Sequence, residues 1–285
     1  MVMDGLRAAG VICSQSVADA DYLIAHSTLV QASNADTPAV LVGNDTDLLV
    51  ILIHGLQTNN VYMQYERNLV YTVHEIKRAL NMTVAQYIII AHAISGCDVV
   101  SALFGMGKKK ALAVLADGDW SILDVFIRSN STHDEVSRAG EIFLRRLYGA
   151  KDGETSLDNL RYILYMRKMS KQSCNFRLQC LPLTSAAAKY HSYRAYFAIQ
   201  EMLENPEDLV PTDWGWALQD GILCPVYTDR EVAPDAVLNI VSCGCKTNCG
   251  KRCSCRKAGL YCTAMCSSCH GQTCLNICDP DGDDD

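Results

Sequence analysis

Two residue types in this chain are spaced to do chemistry: cysteine and aspartate. Nine cysteines, Cys243, Cys245, Cys249, Cys253, Cys255, Cys262, Cys266, Cys269 and Cys274, crowd a stretch with little apolar sequence. Thiolates are preferred zinc ligands, and a set this dense points to a cluster whose metal supplies the folding energy. A C-x-C pair is too tight for both sulfurs to serve one small tetrahedral site unless some sulfurs bridge. Nine cysteines around about three zinc ions, four sulfurs each, therefore require bridging. A disulfide scaffold is the other use of such a set. However, ten of the fifteen cysteines fall within 243–278, and "MVMDGLRAAG" has neither the basic nor the apolar region of a secretory signal.

The aspartates come as D-x-D pairs beside apolar segments: Asp19 and Asp21 in "ADAD", Asp45 and Asp47 in "GNDTDLLVIL", with Asp98 after Gly96-Cys97. Each pair alone reads as a turn or a helix N-terminus. Converging at the carboxyl end of a sheet, they would repel unless Mg²⁺ or Mn²⁺, up to two ions, neutralised them. Downstream, "FGMGKKKALAVL" sets Gly105 and Gly107 before Lys108, Lys109 and Lys110, a form that lets backbone amides and cations approach a phosphate.

The elements that must position these residues read as α/β. A helix end and a short strand are expected over 5–15, then a helix from an N-cap at Ser16. "TPAVLV" reads as a buried parallel strand, followed by a polar turn and a helix start or second strand. A hairpin is expected around Glu66-Arg67-Asn68, a helix broken at Gly96, two helical pieces around the turn at 117–119, and an amphipathic helix over 184–205. The boundaries expected are 1–130 for the α/β domain, 131–240 for a mainly helical extension, 241–278 for the zinc module and 279–285 for an acidic, disordered tail. The net charge of −7 offers no global attraction to nucleic acid. It is unevenly placed: 243–278 carries Lys246, Lys251, Arg252, Arg256 and Lys257 and no acid, and the last seven residues hold five Asp. The sequence has no apolar run of the length a membrane span needs.

The order D-A-D, G-N-D-T-D-L-L, I-S-G-C-D, G-M-G-K-K-K-A resembles the flap-endonuclease branch of the PIN-like nucleases over roughly residues 1–130. The resemblance implies a PIN-like Rossmannoid parallel sheet with a helix-hairpin-helix. It also implies Asp19, Asp21, Asp45, Asp47 and Asp98 as ligands of a two-metal phosphodiesterase site, and Gly105, Gly107 and Lys108–Lys110 on the DNA backbone. It departs in having Asp where the family has Glu. The family also places further acidic ligands upstream, so an incomplete acidic site is expected. The cysteine stretch resembles the tesmin-like CXC domain, a zinc-cluster DNA-binding module, through to Cys274-Leu275-Asn276. It departs at Cys266-x2-Cys269, where the family has C-x-C, and at Arg252, where the family has a groove-entering tyrosine. Together these resemblances imply a nuclear DNA-binding protein with an endonuclease-like domain. A non-catalytic DNA or chromatin binder and a zinc-stabilised protein-interaction module are the alternatives.

Overall fold

The computed structural model of the 285-residue chain describes residues 2–16, 20–34, 37–67, 69–150, 156–170, 178–203, 209–230, 243–246, 248–257, 261–263 and 266–276. Asp19, Asn68, Cys278 and the acidic tail lie outside them. The chain forms two compact units, each built from two segments: 1–153 with 188–227, and 154–187 with 228–285.

The first unit is a small mixed sheet surrounded by helices. After α1 (Val2–Ala8) the backbone is irregular over 11–16, where a strand was expected. Helix α2 starts at Asp21, beyond Ser16, and runs to Asn34. Strand β1 (Ala39–Val42) pairs in parallel with β2 (Val61–Tyr65), Leu41 opposite Met63. The crossover between them is α3 (Thr46–Gly55). Strand β3 (Leu69–Thr72) then returns antiparallel to β2. The sheet is thus mixed, not parallel throughout as expected. The turn at Glu66, whose φ of 57° is left-handed, is too short for the crossover a parallel strand needs.

Helices α4 (Val73–Ala79) and α5 (Met82–Ser95) follow. Eleven of the fourteen residues of α5 are buried, so it is the central element of the core rather than a surface helix. Gly96 ends it at φ 114°, and a Cβ there would sit 2.6 Å from the Ala102 backbone, so only glycine fits. Then come α6 (Lys108–Leu115), a 3₁₀ turn (Ser121–Phe126) and α7 (His133–Leu147), which opens on a capping box of Thr132 and Glu135.

Residues 188–202, most of α9 (Ser185–Met202), complete this core. His191 donates to the Ile94 carbonyl at 2.8 Å, Tyr196 to Arg128 at 2.8 Å and Gln200 to Phe126 at 2.7 Å. A 3₁₀ turn (Pro211–Asp213) and the hairpin β4 (Trp216–Gln219) with β5 (Ile222–Pro225) close the unit.

The second unit holds α8 (Leu157–Ser170), the start of α9 and the cysteine-rich segment with its short helix α10 (Ser254–Lys257). Asp158 accepts from the Ser185 amide at 3.0 Å and pairs with Arg230 at 3.0 Å. Among the described residues no helix is long and apolar enough to cross a membrane.

Candidate metal sites

The cysteine segment has a sulfur interior. Cys243, Cys249, Cys253, Cys255, Cys262, Cys266, Cys269 and Cys274 are buried and pack on one another, with Cys245 half-buried beside them. Their Sγ atoms fall into four sets of four, the atoms of each set within 4.8 Å of one another: 243, 262, 266, 269; then 243, 245, 249, 253; then 243, 253, 255, 262; and 249, 262, 269, 274. The sequence pattern thus brings all nine together.

The sulfur spacing distinguishes the two chemistries open to this set. Cys243–Cys249 is 3.6 Å, Cys249–Cys269 3.7 Å, Cys255–Cys266 3.7 Å, Cys253–Cys262 3.8 Å and Cys243–Cys262 3.9 Å. A disulfide would need about 2 Å. A tetrahedron of sulfurs with Zn–S of about 2.3 Å has an edge of about 3.8 Å, so the spacing is compatible with zinc. Cys243 and Cys262 each belong to three of the four sets, the position of a sulfur shared between ions.

Backbone amides add to the fit. The Arg256 N–H holds the Cys253 thiol down at about 6. Burial, with Cys266 alongside, pushes Cys255 up to about 12. Thiolates this crowded require a cation's charge to coexist. Lys246, Lys251, Arg252, Arg256 and Lys257 are all exposed around this core.

The acidic residues meet at the N-termini of two helices that pack together. Asp21 opens α2; Asp45 is the N-cap of α3 and Asp47 lies in its first turn. Their carboxylates lie within 4.8 Å of one another, an all-oxygen set suited to a hard cation. Asp45 also serves the local structure, since its Oδ1 accepts from the Asp47 amide at 2.9 Å. The capping and metal-ligand readings therefore coexist in one side chain, which has a second oxygen.

Asp98 does not join this set. It is exposed in the turn between Cys97 and Val100, and no acidic group among the described residues includes it. What α5 sends to the site is His92: its Nε2 lies 2.8 Å from Asp47 Oδ1. That contact, against the opposing effect of burial and with help from the charge of Lys108, holds the Asp47 carboxyl below its usual range. The signal in the sequence was a single histidine in "IIIAHAIS".

The segment expected to approach a phosphate is exposed at Gly105 and at 107–110, and Gly107 is the N-cap of α6. Lys108 turns back and donates to the Gly96 carbonyl at 3.0 Å, whereas Lys110 reaches the Met106 sulfur at 3.0 Å. Compared with protein-family models, with curated proteins and with solved structures, this chain matches none.

Proposed function

We propose that this chain is a zinc-dependent DNA-binding protein whose first unit is a nuclease-type domain with a divalent-cation site. The observation that carries the reading is the sulfur spacing of 3.6–3.9 Å among seven of the nine clustered cysteines. About three zinc ions, with some sulfurs bridging, would use all nine. The five exposed cations of the segment, with no acid between 243 and 276, suit a phosphate backbone, and Arg252 suits a narrow A·T-rich minor groove. Such a protein belongs in the nucleus.

The test is duplex DNA binding across a salt series, with zinc measured by mass spectrometry. Lys251→Ala with Arg252→Ala should keep the zinc, weaken binding and reduce the slope of log K against log salt by about two. Unchanged affinity and slope with zinc intact would leave the segment as a protein-interaction module.

The three converging carboxylates favour a second activity, phosphodiester hydrolysis. Among the described residues Asp21, Asp45 and Asp47 converge and Asp98 does not, and these three would hold one Mg²⁺ or Mn²⁺. A bound ion supplies charge neutralisation of a phosphate and acidification of water. Lys108 adds positive charge beside Asp47, and the exposed Lys109 and Lys110 would meet the DNA backbone. Cleavage of flapped or nicked DNA should require Mg²⁺ and vanish in Asp45→Ala. If the zinc-loaded chain cuts neither substrate, the domain is a non-catalytic scaffold and DNA binding alone is the function.

A further inference from the structure

We propose that His92 is a positioning residue for the acidic site: it fixes the Asp47 carboxylate so that, with Asp21 and Asp45, it can bind a divalent cation. This rests on the reading of those three carboxylates as a cation site. His92 lies in the apolar middle of α5, only 3% exposed, with Ala91, Ala93 and Ile94 buried beside it. Neither ring nitrogen makes a well-directed hydrogen bond among the described residues, and Nε2 meets its acidic neighbour as a close polar contact. A histidine placed there for stability would find partners for both ring nitrogens, because an unmet buried polar group is costly. This ring instead makes one polar contact, Nε2 to Asp47 Oδ1 at 2.8 Å, and so reaches the site from the core side.

That contact holds one of the three carboxylates in place beside the other two. Asp45 is held by the cap it forms on α3. Asp47 could swing away from its two neighbours, and the ring nitrogen, mounted on the most deeply packed helix of the unit, prevents it. Partners that orient ligating carboxylates typically govern metal affinity by about 10- to 100-fold. The unmet Nδ1 is then a cost carried for orientation, not a packing error.

Mn²⁺ binding to the zinc-loaded full chain, followed by electron paramagnetic resonance, tests the proposal. The wild type should bind an ion that Asp45→Ala loses. His92→Leu should weaken Mn²⁺ by about 10- to 100-fold. His92→Gln, whose amide nitrogen reaches the Nε2 position, should restore most of it. Equal Mn²⁺ affinity in wild type and His92→Leu overturns the proposal, and so does failure of His92→Gln to restore binding. If the wild type holds no ion that Asp45→Ala loses, the acidic site itself is wrong and the role of His92 goes with it. Should His92→Leu not fold, the wild type still decides. On adding Mg²⁺ the His92 Nε2 resonance should shift more than those of the other histidines, and an unmoved resonance overturns the proposal.

Discussion

Burying His191 makes the first unit acid-sensitive, and the size of the effect follows from its surroundings. His191 is only 3% exposed, and removal from water, with the charge of Arg194 nearby, lowers its pKa from 6.5 to about 4, although its bond to the Ile94 carbonyl pulls the other way. Between those values the unfolded chain takes up a proton that the folded unit refuses, so stability falls as pH drops below 6.5 and stops falling near 4. From pH 7 to pH 4.5 the loss from this one residue is about 2 kcal/mol. His191→Gln keeps a donor for Ile94 and removes the titration. Trp120, Trp214 and Trp216, the three tryptophans, all belong to the first unit, so fluorescence during urea unfolding reports on it alone. The wild-type midpoint should fall by about 1 M more than that of His191→Gln over this pH range, taking a urea slope of about 2 kcal/mol per molar. Parallel pH profiles for the two chains would refute the assignment.

Gly140→Ala should destabilise the first unit by roughly 1–3 kcal/mol in a thermal melt, although alanine normally improves a helix interior. The new Cβ would fall 2.0 Å from Ser192 Oγ, where α7 and α9 touch. Tyr87→Phe should cost about 1 kcal/mol, because it removes the 2.8 Å bond to Asp124 while leaving Gln86 on that carboxylate. Cys262→Ser, at a sulfur shared by three sets, should lower zinc content by more than one ion per chain, whereas Cys245→Ser, in one set, should lose one at most. Equal losses measured by mass spectrometry would rule out sharing at Cys262.

Much of this was legible because short-range pattern decides it. The hairpin over 61–72, the helix ending at Gly96 and the helix around Tyr193 follow from local turns and periodicity. The convergence of nine thiols follows from spacing that leaves the chain little slack. What escaped the sequence depends on tertiary choice. Ser16 could cap a helix, yet α2 starts only at Asp21, where the carboxylate itself favours the first turn. The "TPAVLV" strand does have a parallel partner, but it is an edge strand with Val40 and Val42 exposed rather than a buried one, and the third strand is antiparallel because its turn is short. Asp98 and His92 could not be ranked from the sequence, because α5 is apolar on nearly every side and periodicity does not reveal which face meets α3.

The division of each unit into two segments sets an order of synthesis. His191, Tyr196 and Gln200 bond to carbonyls 97, 68 and 74 residues earlier. During translation the sheet and α3 to α7 therefore emerge with one side of their core uncovered, and they wait while 154–187, a piece of the other unit, is made. Contacts of such long sequence separation form late and slowly. The nascent chain thus exposes an apolar surface for several seconds at ordinary elongation rates, a window in which a chaperone has something to hold.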